Sequence, residues 1–353
     1  MVLDLYKSTP LLPILVSSLT TLVAIYFLRT FAINTGLIDT PNSRKPHDGS
    51  VPLIGGIAMY MGVIVGILLT SNNLNELNYF ILASGIILII GVLDDFRNIS
   101  VLLRFAIQML VAIFITTIAG VNIESFGNLF GSGDISLNKW SYFISAIAII
   151  TAMNALNMSD GIHGLAGVTS LITFLAILYL SIDSLSHEII LVLILISSVL
   201  PVFLINNICL GVPKYKRIFM GDAGSMFIGL TIVWALIELS QGEGRAFSPV
   251  TALWLFSLPL FEMFTAFFRR LITGDSPFKP DLFHSHHVLI RLGFGEKTTL
   301  LVLSIFSLLM AVIGILSELY GVDEWVMFVL FLLVFVIHVI FYGVTLKKIK
   351  INV

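Results

Sequence analysis

Charge is what this chain has least of. Only 11% of its 353 residues are charged and 58% are hydrophobic, where a soluble domain carries about 25% and about 45–50%. So little charge cannot cover a water-facing surface of this size, which argues against a soluble enzyme and more strongly against disorder. A single cysteine, Cys209, excludes an intrachain disulfide framework and a cysteine-based metal cluster. The net charge of −2 offers no electrostatic case for nucleic acid. No convincing internal repeat and no low-complexity tract is evident. What the chain does have is long apolar runs and a mean hydropathy of +1.03.

About 20 mostly apolar residues in a helix cross a bilayer core of about 30 Å. Eleven windows fit, near 9–31, 52–70, 79–93, 101–119, 141–158, 164–182, 187–209, 225–240, 248–270, 299–319 and 325–346. The third and fifth are short. The first runs on into Arg29 with no small-residue cleavage site behind it, so it reads as a helix and not as a signal peptide. The expectation is one all-α polytopic membrane domain, residues 1–353, with about eleven transmembrane helices.

Basic residues set the orientation. With the N-terminus outside and the C-terminus cytoplasmic, 16 of the 19 Lys and Arg fall on the inner side, leaving Lys7, Lys139 and Arg245 outside. Short loops carry such a bias toward the cytoplasm. The longest outer loop, 120–140, is rich in Gly, Asn and Ser and reads as irregular.

Five polar clusters lie on the inner side, in loops 32–51, 94–100, 158–164, 210–225 and 270–298. In the first, Arg44, Lys45 and His47 suit an anionic group, or an ordinary basic loop, and Gly55-Gly56 permits close helix approach. In the second, Asp94 and Asp95 close an apolar helix, where negative charge opposes the macrodipole. Neighbouring carboxylates with phosphate ligands are a common magnesium site; a solvated helix-end pair is the plainer reading. In the third, Asn154, Asn157 and Asp160 recur every three residues before Gly161 and Gly164. Such a stripe serves a polar site or glues helices together.

The fourth cluster, Phe219-Met-Gly-Asp-Ala-Gly-Ser-Met226, places Asp222 at a small-residue helix start. That is either a phosphate cradle with a metal beside it or a simple helix cap. The fifth holds Arg269, Arg270, His284, His286 and His287. Three histidines raise zinc, but no cysteine lies near them, and donors to a diphosphate fit better. Glu262 is an ionisable group inside the ninth window. Carboxylates, a cradle and basic donors on one membrane face point to metal-assisted phosphoryl transfer with a lipid substrate.

Across all five loops, from Asp39 to Phe294, the sequence resembles the polyprenyl-phosphate N-acetylhexosamine-1-phosphate transferases, most closely their WecA-type bacterial members. The motifs that carry this are Asp94-Asp95, Asn157-Met-Ser-Asp160, the stretch around Asp222, Ser276-Pro-Phe-Lys-Pro-Asp281 and His284-Ser-His-His287. The resemblance implies a multi-pass protein of the bacterial inner membrane, with eleven helices and a cytoplasmic active site. It implies transfer of N-acetylglucosamine 1-phosphate from UDP-N-acetylglucosamine to undecaprenyl phosphate with release of UMP, starting a lipid-linked polysaccharide such as O-antigen or common antigen. It implies Mg²⁺, with Mn²⁺ as a substitute, and leaves a homodimer open. By position, Asp94, Asp95 and Asp160 are the implied catalytic residues and Asp222 the metal ligand. Lys45, His47, Asn157, Arg269, Arg270, His284, His286 and His287 are the implied substrate contacts.

Three positions depart from that pattern: His163 and Asn98 stand where the family usually has acidic residues, and Glu262 replaces an aspartate. A second UDP-N-acetyl sugar, or a teichoic acid pathway, is the nearest alternative. A transporter is the competing class, but transporters place such residues near the midplane of repeated halves, whereas these gather at one face.

Overall fold

The computed structural model describes residues 11–41, 49–70, 77–184, 186–274, 276 and 283–351. Thirteen α-helices occupy most of this. They are α1 (Leu11–Thr35), α2 (Gly55–Thr70), α3 (Leu77–Arg97), α4 (Val101–Thr117), α5 (Ser141–Ser159), α6 (Leu165–Ser181) and α7 (His187–Ile208), then α8 (Gly221–Ser240), α9 (Pro249–Leu255), α10 (Ser257–Thr273), α11 (Ser285–Arg291), α12 (Glu296–Leu319) and α13 (Glu324–Ile351). A two-residue antiparallel ribbon, β1 (Ile38–Asp39) with β2 (Val51–Pro52), is a small addition to an otherwise helical chain.

Among the described residues, seven helices are long and apolar enough to cross a membrane, or eight if α9 and α10 are counted together. Three more apolar helices, α2, α4 and α6, are shorter. The chain is therefore an all-α polytopic membrane protein. The third window, short as a hydropathy run, is a full 21-residue helix because α3 continues through Asp94, Asp95 and Arg97. The ninth window is not one helix: it breaks at Phe256, where α9 and α10 meet at 84°. Pro259 has no N–H to bond the Leu255 carbonyl four residues back. That freed carbonyl accepts from Thr173 Oγ1 of α6 at 2.8 Å instead, as a buried break requires.

The centre of the molecule is α8, which packs against α2, α3, α5 and α6. All but two of its 20 residues are buried. It has no amphipathic face because almost none of its surface, Glu238 apart, turns toward solvent or lipid. Three of its contacts are backbone on backbone. A Cβ at Gly56 would strike Gly224, one at Gly91 would strike Ala223, and one at Gly229 would strike Met153. These glycines draw α2, α3 and α5 onto α8 more closely than any side chain would allow. The segment leading into α8 is tied down as well. Leu53 bridges Phe219, Gly55 N–H donates to the Phe219 carbonyl at 2.9 Å, and Gly56 N–H donates to that of Met220 at 3.0 Å.

At the other end of α8, carboxylates and an amide fasten the loops. Glu318 accepts from Ser248 N–H at 3.1 Å, from Ser248 Oγ at 2.6 Å and from Thr251 Oγ1. Glu324 accepts from Asn128 N–H at 2.7 Å and from Arg245 at 2.8 Å. Gln241 Oε1 accepts from the N–H groups of Glu124 and Ser125 at 2.9 and 3.0 Å. The bonds from Glu324 and Gln241 hold the irregular 120–140 stretch.

Gly91→Val tests the close contacts. Overpacking of this kind costs about 1–3 kcal/mol, so the thermal midpoint of the purified protein in detergent is expected to fall. Gly343→Ala, where an added carbon meets nothing within 4 Å, is expected to hold or raise it, since Ala favours helix by about 1 kcal/mol. A midpoint unmoved by Gly91→Val contradicts this account.

Candidate active site

The loops before α8, after α3 and after α5 meet at one end of the bundle. Gly221 starts α8 with φ +74°, and a Cβ there would run into the Asp95 carboxylate; only glycine satisfies both demands. The first amides of α8 then reach that carboxylate. Asp222 N–H donates to Asp95 Oδ1 at 2.8 Å and Ala223 N–H to Oδ2 at 3.2 Å. The helix start expected to cradle a phosphate is thus already capped by Asp95, whose negative charge also suits the positive end of the helix.

Asp94 points elsewhere. Its side chain is 7% exposed, and its Oδ2 lies 2.7 Å from the Arg104 guanidinium. The same Arg104 nitrogen is 3.6 Å from Asp222 Oδ2. Asn157 Nδ2 donates to Asp222 Oδ1 at 2.7 Å and to Ser225 Oγ at 2.9 Å. Asp222 therefore has one oxygen held by an amide and one turned to a cation that it shares with Asp94. Arg104 reads in the sequence only as inner-side charge. Its signal is its place near the start of α4, which Ser100 caps by accepting from Leu103 N–H at 3.3 Å, ten residues after Asp94.

The asparagine stripe divides. Asn154 does not join the cluster: its Nδ2 donates to Gln108 Oε1 and to the Ile150 carbonyl, both at 2.8 Å. It serves helix association. Asp160 ends α5 as its C-cap, with φ −81° and ψ 48°, so the helix does not continue past Gly161. His163 consequently lies in the turn beyond, with Nε2 2.8 Å from Arg217 and its ring stacked on Phe219 at 5.2 Å. Asn98 has a backbone reason. At φ 48° it closes α3, its N–H bonded to the Asp94 carbonyl at 2.8 Å, a left-handed position that asparagine tolerates.

The histidine segment joins from the far side. His286 is 1% exposed and lies directly against Gly161, where a Cβ would strike its imidazole. His284, His286 and His287 form a group, with the His286 and His287 ring centroids 4.1 Å apart. Burial, and then His287 beside it, push the His286 imidazole down to about 3, so it is neutral at ordinary pH. Glu262, buried in α10, accepts from Ser285 N–H at 3.0 Å and lies 3.4 Å from His284 Nδ1. It anchors the start of α11. Arg270 is 7% exposed, and Arg269 stacks its guanidinium over Phe283 at 5.0 Å. Lys45 and His47 lie outside the described residues.

Asp95→Ala removes the cap from the central helix, and a lost cap costs about 0.5–2 kcal/mol. Asp94→Ala leaves the α8 amides satisfied. The thermal midpoint in detergent is expected to fall further for Asp95→Ala, and equal losses contradict the division of labour between the two.

Residues 77–240 match glycosyl transferase family 4. Over 330 residues the chain is 39% identical to undecaprenyl-phosphate alpha-N-acetylglucosaminyl 1-phosphate transferase of Escherichia coli K12, covering 93% of this chain and 88% of that protein. The protein of the same name from Haemophilus influenzae is 38% identical over 342 residues, covering 95% and 94%. That from Yersinia pestis is 38% identical over 326 residues, covering 92% and 88%.

Proposed function

The chain belongs to glycosyl transferase family 4, and we infer that it passes N-acetylglucosamine 1-phosphate to undecaprenyl phosphate at the polar cluster around Asp94 and Asp222. It is a phosphoglycosyl transferase. The donor in this reading is UDP-N-acetylglucosamine, the leaving group is UMP, and the product starts a lipid-linked surface polysaccharide such as O-antigen or common antigen. The observation that carries the reading is the convergence of Asp94, Asp222, Arg104 and Asn157 at one end of the bundle.

The cluster fits a divalent cation. Two carboxylate oxygens, one each from Asp94 and Asp222, already face a common positive charge on Arg104. Both are hard oxygen donors of the kind magnesium takes, one or two at a time, alongside phosphates. Asp222 and Asp94 would hold it, and when bound it supplies charge neutralisation of the diphosphate. Asn157 fixes the Asp222 carboxylate by its 2.7 Å bond. Asp94, not the capping Asp95, addresses the acceptor phosphate, because both Asp95 oxygens are engaged by α8. Attack by the acceptor phosphate on the sugar-bearing phosphorus is direct, since that anion is already a competent nucleophile; no carboxylate intermediate is needed. The buried, neutral His286 beside Gly161 would donate a hydrogen bond to the substrate without adding charge.

The cluster faces the cytoplasm of the bacterial inner membrane in this reading, with eleven spans and the N-terminus outside. Its support is the 16-to-3 division of basic residues. In a Cys209→Ser background, an impermeant thiol reagent applied outside is expected to label Ser132→Cys and to spare Ser50→Cys. The reverse pattern would falsify the orientation.

The activity is tested with the purified protein, undecaprenyl phosphate, Mg²⁺ and a panel of UDP-sugars, reading UMP release. UDP-N-acetylglucosamine is expected to be the preferred donor. Asp222→Asn is expected to lower turnover by roughly 100-fold or more, beyond what losing an outer-shell partner costs, with the protein still folded. Full turnover by this variant at limiting Mg²⁺ removes Asp222 from the metal site, and preference for another sugar moves the enzyme to a different pathway.

A further inference from the structure

We propose that Arg217, braced by His163 and seconded by Arg29, is the contact for a phosphate of the nucleotide-sugar donor. The inference rests on the proposed function and supplies a binding group that none of the motifs names.

Arg217 Nη1 lies 2.8 Å from His163 Nε2. A guanidinium only donates and stays protonated in proteins, so the imidazole nitrogen facing it must present a lone pair. The acceptor is therefore uncharged at that atom. It fixes the direction of Arg217 without itself cancelling the positive charge. A carboxylate at position 163 would fix the same arginine and neutralise it. The ring itself is held by stacking on Phe219 at 5.2 Å and 29°. Phe219 is locked on both sides of its backbone, its N–H to the Pro52 carbonyl at 2.9 Å and its carbonyl to Gly55 N–H at 2.9 Å.

The backbone of Arg217 is held from the other direction. Arg29, on α1, donates to the Arg217 carbonyl at 3.1 Å and also to the Tyr215 carbonyl. This brings a second guanidinium to the loop that opens α8. Among the described residues, no carboxylate lies within ion-pair distance of Arg29 or Arg217. Arg217 Nε has no hydrogen-bond partner there either. Two rigidly held planar cations, with no carboxylate partner among the described residues, match phosphate oxygens in geometry and charge.

Two phosphates could use them, one from the water-borne donor and one from a lipid. The loop favours the donor. Lys214 and Lys216 are exposed on either side of Tyr215, just ahead of Arg217, and two exposed ammonium groups suit an aqueous setting better than hydrocarbon. Five residues further on along the same segment stands Asp222, which the proposed function gives to the metal.

The test uses the full chain in phosphatidylcholine nanodiscs, with UDP and uridine as probes in titration calorimetry and UMP release as the kinetic readout. Arg217→Gln is expected to weaken UDP binding by roughly tenfold, the scale of one charge-assisted hydrogen bond, and to leave uridine binding unchanged. His163→Asp is expected to weaken UDP in the same sense, and His163→Asn, which keeps a neutral acceptor, by less. The kinetic effect falls on KM for the donor and not on kcat or on KM for undecaprenyl phosphate. Equal losses for UDP and uridine, or tighter UDP binding in His163→Asp, overturn the inference. So does an effect confined to undecaprenyl phosphate, or one abolished by adding phosphatidylglycerol, since the arginine would then serve a lipid. If the wild type binds UDP through Arg217 yet releases no UMP from any UDP-sugar, the proposed function fails and this site stands.

Discussion

The site depends on backbone contact around α8. A helix surrounded by others can gather polar loops at its end only if its neighbours come close enough for their ends to meet. Gly56 against Gly224 and Gly91 against Ala223 bring α2 and α3 to that distance. In the bilayer there is no hydrophobic force between helices, so close approach is what yields dispersion energy there. The same glycines that stabilise the bundle also bring Asp94 and Asp95 to the start of α8. Stability and site geometry share one set of atoms.

The two adjacent aspartates show how that geometry separates identical side chains. Neighbours on a helix point about 100° apart. Asp95 meets the open amides of α8 and satisfies a helix end that would otherwise be buried without partners. Asp94 meets Arg104 and, through it, Asp222. One carboxylate is used up in holding the fold, and the other is left facing a cation. At the opposite end of α8, Glu318 and Glu324 bind loop amides, and Glu324 also pairs with Arg245.

A second device aligns the histidine segment. Pro259 breaks the ninth window, and α10 leaves α9 at 84°. On that redirected helix Glu262 is placed to anchor Ser285, the first residue of α11, which carries His286 against Gly161. Glutamate has one carbon more reach than aspartate, and the contact it makes is to a backbone amide, which any carboxylate of sufficient reach supplies.

The membrane class, the helical content and the polar clusters were legible in the sequence, because hydropathy over 20 residues and the cost of charge in hydrocarbon are local properties. So was the use of Gly55 and Gly56 for close approach. The resemblance to known transferases rested on motifs and held over nearly the whole chain. Other features were not legible, because each depends on a partner far along the chain. Asn154 and Asn157 look alike in the stripe, yet one faces Gln108 on α4 and the other Asp222 on α8. The start of α8 looked like an empty phosphate cradle, yet a carboxylate 127 positions away fills it. Arg104 looked like topological charge, and His163 like one of three departures from a pattern; their contacts appear only beside Asp94 and Arg217. Composition and periodicity determine which segments are helices and which lie in the membrane. Which polar atoms are spent on the fold, and which remain for chemistry, is decided only when the helices meet, because hydrogen bonds are assigned by position in space and not by order in the chain.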